Sequence, residues 1–126
     1  MAIVDSALPP REISALLGID ADRVLNFGHP TPTNRNKLAE VNRWEVRVPV
    51  DEGLELSHHL LGLKALVQPR VHAIRQLAKE ASIRIEVDID YPTNEAPRSV
   101  EGIHFDRDVV DLVASIGGEF DVDISI

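Results

Sequence analysis

The eight residues Ile83-Arg84-Ile85-Glu86-Val87-Asp88-Ile89-Asp90 constrain this chain more than any other segment. β-Branched and charged residues alternate there without exception. A helix would scatter the charges around its circumference, whereas a strand sends successive side chains to opposite faces. The segment is therefore a half-buried strand, with one apolar face and one charged face. Phe120-Asp121-Val122-Asp123-Ile124-Ser125-Ile126 alternates in the same way. So does Arg43-Trp44-Glu45-Val46-Arg47-Val48, which places Trp44, Val46 and Val48 inward and Glu45 and Arg47 in water, with Pro49 ending the run.

Between these strands the period changes to that of a helix. A first helix is predicted from Pro9-Pro10 to Leu17, with proline suited to the first turn and Gly18 as the stop. Leu54 to Ala81 reads as two helical pieces, because Pro69 lacks an N–H and must open a new one. Their apolar stripes are Leu56, Leu60, Leu63 and Val67, then Val71, Ile74, Leu77 and Ala78. A short strand is expected over Ile103–Phe105. Asp106 is expected to cap a last helix carrying Val109, Leu112, Val113 and Ile116, which Gly117-Gly118 stops. Ala2–Asp5 is the least defined candidate strand. The segments 29–36 and 91–97, dense in Pro, Thr and Asn, read as loops.

One-sided strands interleaved with one-sided helices define an α+β fold. The expected form is a two-layer sandwich, a mainly antiparallel sheet with helices on one face, for which a ferredoxin-like topology is possible. At 126 residues the chain fits a single domain, 1–126, able to bury a core without disulfides. It has no cysteine, which rules out disulfides, thiolate metal sites and cysteine nucleophiles. A formal charge of −8 argues against nucleic acid and anionic lipid as partners, since phosphate binding draws on clustered Lys and Arg. No apolar run is long enough to span a bilayer, and no basic, apolar leader opens the chain, so a cytoplasmic location is expected.

The feature closest to chemistry is the charged side of the two best strands. If they are neighbours, Glu86, Asp88, Asp90, Asp121 and Asp123 share one face. Such a face is either merely solvated, with Arg47 and Arg84 offsetting part of its charge, or it meets a basic protein or a divalent cation. The spacing is not that of an EF-hand, as the loop glycine and closing glutamate are missing. His29, His58, His59, His72 and His104 form no H-E-x-x-H motif or i, i+4 zinc pair, and one of His58 and His59, just before Leu60, can border the core. No serine lies in G-x-S-x-G. Gly117-Gly118 follows a helix, so it reads as a C-cap and not as a phosphate cradle. Trp44 reads as a core anchor. The loop with Gly28, His29, Arg35 and Lys37 concentrates positive charge and is either solvated or receptive to an anion.

Several short motifs occur in a recognisable order. Ile13-Ser14-Ala15-Leu16-Leu17-Gly18-Ile19 with Arg23-Val24 and Gly28, then Trp44 after a polar loop, His59-Leu60-Leu61 and Pro69, and the closing Gly117-Gly118 with Phe120-Asp121-Val122-Asp123-Ile124 together resemble the bacterial family called domain of unknown function 4279. The resemblance implies a small bacterial α+β protein and supplies no catalytic residues and no cofactor. The expectation is a non-enzymatic module that binds another macromolecule, in an immunity-like or adaptor role with a basic partner. The competing reading is a divalent-cation-dependent binding protein or enzyme using the acidic face. A monomer or weak homodimer is expected, because aspartates on the last strand oppose its in-register pairing with a second copy.

Overall fold

A computed structural model of the chain describes residues 1–90 and 103–125. Ala2–Val4 forms β1, so the least defined strand exists, and it becomes the middle of the sheet. Helix α1 spans Pro10–Leu17, with proline at its first turn. It ends where Gly18, at φ 68°, enters the left-handed region and donates its N–H to the Ser14 carbonyl at 2.9 Å. β2 (Arg23–Leu25) forms where the sequence pattern predicts no strand, and β3 covers Arg43–Glu45. Helix α2 (Leu56–Val67) passes through a 3-10 turn at Gln68–Arg70 into α3 (Val71–Leu77), so the break falls at Pro69 as its missing N–H requires. β4 (Ser82–Asp90), α4 (Arg107–Ser115) and β5 (Gly118–Ser125) complete the described elements.

The sheet order is β2-β3-β1-β4-β5. All neighbours are antiparallel except β4 and β5, which run parallel with α4 between them in the chain. The fold is thus α+β, with a mostly antiparallel open sheet and helices packed on it. A ferredoxin-like sheet has four antiparallel strands; this one has a fifth, parallel strand, and the strand order describes it better than that label.

The core follows the alternation. Ile3 lies in register with Trp44 on one side and Ile83 on the other. With Ile85 they meet Ile13, Leu17, Leu60, Leu63, Val67, Ile74, Leu77, Val109, Val113 and Ile116 from the helices. These are the helix stripes expected from the sequence, with Leu56, Val71, Ala78 and Leu112 at the margin. Trp44 is fully buried, and its indole N–H donates to Ser14 Oγ at 2.9 Å. His59 is half-buried beside Leu60, while His58 is exposed.

Three local expectations are corrected. Ile103–Phe105 is not a strand: three residues are too few for a period of two to be decisive, and Phe105 instead stacks on Phe120 with ring centroids 4.5 Å apart. The ladder of β3 stops at Glu45, although Val46 stays buried and Val48 packs at the core margin. Asp106 precedes α4 but makes no side-chain capping bond; its carboxylate lies 3.2 Å from His104 Nε2. The expected loop at 91–97 lies outside the described residues.

One close approach holds α2 to the segment after β3. A Cβ at Gly62 would overlap the Val48 side chain and come within 2.7 Å of Val50 Cγ2. Gly62→Ala is therefore expected to lower stability by about 1–2 kcal/mol, since overpacking outweighs the gain in helix propensity. Chemical unfolding reads this directly; a variant as stable as the parent would mean that residues 48–50 yield freely. No helix among the described residues is long and apolar enough to cross a membrane.

Candidate functional site

The acidic strands are neighbours. The parallel register sets Glu86 against Asp121, Asp88 against Asp123 and Asp90 against Ser125. Ile85, Val87 and Ile89 pair with Phe120, Val122 and Ile124. Adjacent strands lie about 4.8 Å apart, so paired residues share a face and the five carboxylates form two adjoining rows. The same alternation that sends Ile83 and Ile85 into the core sends these acids away from it. Asp88, Asp90, Asp121 and Asp123 are exposed, and Glu86 is half-buried. Glu86, Asp88, Asp121 and Asp123 border a shallow depression of about 320 Å³.

The cations that temper this face are not quite those expected. Arg84 lies 3.2 Å from Glu119, at the start of the ribbon. Arg47 pairs with Glu52 at 3.6 Å, both groups well exposed, and meets none of the five acids. The principal counter-ion is Arg43, which no local pattern in the sequence marks as one. From β3 its guanidinium reaches across β1 to Glu86 Oε1 on β4 at 2.5 Å, and it donates to Glu45 Oε2 at 2.7 Å. Ala2 and Val4 are the β1 residues on this face, with Val4 in register with Arg43. Burial pulls the Arg43 pKa down, but the two carboxylates outweigh it and raise the value above that of an ordinary arginine. Nearby, the Met1 amino group donates to the Val46 carbonyl at 2.8 Å. Burial lowers its pKa, against the opposing pull of Glu86 and Glu45.

Charge is therefore divided along the ribbon. Glu86 is neutralised by Arg43, whereas Asp88, Asp90, Asp121 and Asp123 have no ion-pair partner among the described residues. Like charges set opposite each other cost roughly 0.2–1 kcal/mol per pair. Asp88→Asn with Asp123→Asn is expected to raise Tm by about 2–5 °C at low salt. Most of that gain should vanish near 1 M salt, where screening acts within about 3 Å. Melting curves of both proteins at the two salt levels test this; equal Tm values at low salt would mean that the rows do not repel.

Among the described residues, no group of three or more His, Asp or Glu side chains is placed to hold a metal ion. In a sheet, acids two residues apart project side by side and do not converge on a point. The histidines do not join the face either: His104 pairs with Asp106, and His29 sits exposed on the loop between β2 and β3. That loop is held by a bridge between Pro30 and Leu38 and by Thr31–Asn34 hydrogen bonds. Arg35 and Lys37 stay exposed on it without an ion pair among the described residues.

A second cleft, of about 560 Å³, lies between the ends of α3 and α4 with His72, Arg75 and Lys79 at its edge. Arg75 and Lys79 sit at the C-terminal end of α3, where the helix dipole favours cations without any ligand.

The fold and site define a small open-sheet α+β protein with a carboxylate-lined parallel ribbon at one edge. The chain belongs to the family described as Domain of unknown function (DUF4279), whose model matches residues 1–126. No curated protein and no solved structure matches it significantly.

Proposed function

We propose that this chain is a non-enzymatic binding module of the bacterial cytoplasm whose acidic ribbon face engages a basic protein, in an adaptor- or immunity-like role. The observation that supports the reading is the β4–β5 register, which gathers Asp88, Asp90, Asp121 and Asp123 on one exposed face without counter-ions among the described residues. A fold that keeps such a row gives up some stability, and a cationic partner returns it as favourable complementarity.

The chain and its Asp88→Asn, Asp121→Asn, Asp123→Asn variant serve as paired baits in cells that make the protein. A protein captured by the parent alone is then purified and titrated against both. Its affinity is expected to fall about tenfold or more in the variant and to weaken steeply with salt. Equal affinity for both baits would refute the role of the face. The cation reading is tested by melting with Mg²⁺, Ca²⁺, Mn²⁺ and Zn²⁺: a rise of several degrees that Asp123→Asn abolishes would replace the protein partner with an ion.

A further inference from the structure

We infer that the partner engages this ribbon by adding a strand to the outer edge of β5, and that the added strand alternates basic and apolar residues. The inference rests on the acidic-face reading above and specifies the partner's form. β5 is the last strand in the sheet order, so among the described residues nothing pairs with its outer side. In a ladder of this kind every second residue turns its N–H and C=O away from the neighbouring strand, leaving a template for one more.

Both flanks of that template are chemically marked. On one lie Asp121 and Asp123, backed by Asp88. On the other lie Val122 and Ile124, which are 36% and 41% exposed, backed by the half-buried Val87 and Ile89. The apolar flank is left open because the strands outrun the core. β4 and β5 pair over eight positions, but only Ile83 and Ile85 of β4 are fully buried by the helices. An incoming strand with Lys or Arg at alternate positions and Val, Ile or Leu between them meets charge on one side and covers apolar surface on the other.

The same marking selects against a second copy. Antiparallel pairing of two β5 edges would bring Asp121 and Asp123 beside their own equivalents and enlarge the negative row. The occupant is accordingly a different, basic chain.

The test uses the whole protein and three capped octapeptides: alternating Lys–Val, the same peptide N-methylated at every second residue, and alternating Lys–Ser. Strand addition predicts that Lys–Val binds about tenfold or more tighter than either control and slows amide exchange in β5. Because the block sits in the peptide, the fold of the protein is untouched. Equal binding by the N-methylated peptide, abolished by Asp88→Asn with Asp123→Asn, would overturn strand addition while leaving the acidic face as the contact. Lack of binding by all three, together with equal partner affinity for the two baits above, would remove both. A dimer in sedimentation that Val122→Lys dissociates would put a second copy on the edge and also overturn the inference.

Discussion

Trp44→Ala is expected to cost about 3–5 kcal/mol, a fifth or more of the stability of an ordinary domain. The indole is fully buried on the middle residue of β3, in register with Ile3 of β1 and Val24 of β2. Its removal opens a cavity where the helix layer meets the sheet, and the short strands around it have little freedom to collapse into the space. It also leaves Ser14 Oγ without the indole N–H that it accepts. Two controls separate these contributions. Ser14→Ala keeps the packing but strands the indole N–H, for about 1–3 kcal/mol. Trp44→Phe keeps most of the volume and is expected to fall between the two. Urea unfolding followed by circular dichroism measures all three, because the substitution removes the only tryptophan. A Trp44→Ala loss below that of Ser14→Ala would mean that the tryptophan is not the anchor its burial implies.

Arg43→Met is the second large effect, with an expected loss of about 2–3 kcal/mol. Methionine keeps much of the aliphatic stem while deleting the charge that serves Glu45 and Glu86 together. Both carboxylates are mostly shielded, with side-chain exposures of 21% and 28%, so neither recovers full hydration when its partner disappears. Restoring neutrality with Glu45→Gln and Glu86→Gln is expected to return about half of the loss, since the penalty comes from stranded charge more than from a lost bond. Arg43→Lys is expected to restore less than the parent: an ammonium is a point charge and cannot present a planar fork to two acids on different strands. If the triple variant is no more stable than Arg43→Met alone, the loss comes from the severed bonds and packing of Arg43 and not from stranded charge. Arg43→Met would also leave Glu86 free to join the negative row, so affinity for a basic partner is expected to rise even as stability falls.

Much of this architecture was legible in the chain because local periodicity and burial agree. Pro10 and Gly18 bracket α1, Pro69 marks the break between α2 and α3, and the α4 stripe of Val109 and Val113, continued by Ile116, faces the core. β2 was not legible, because Arg23-Val24-Leu25 is mostly exposed and has no pattern of its own; pairing with β3 holds it. Ile103-His104-Phe105 had the alternation of a strand but too few residues to form one without a partner edge. Arg43 was hidden for a different reason. Its carboxylate partner Glu86 lies 43 residues away, and no local rule links a cation on one strand to an acid two strands over.

By itself the sequence determined which side of each strand is acidic, since a period of two leaves no other placement for Glu86, Asp88 and Asp90 or for Asp121 and Asp123. Only the tertiary structure decided that these two strands are neighbours, that they run parallel, and that Glu86 falls beside Asp121 and Asp88 beside Asp123. The physical reason is that a strand's faces follow from local geometry, whereas its partner and direction follow from how α4 returns the chain to the sheet. The same return leaves β5 at the sheet's end, with aspartates on one flank and uncovered Val122 and Ile124 on the other.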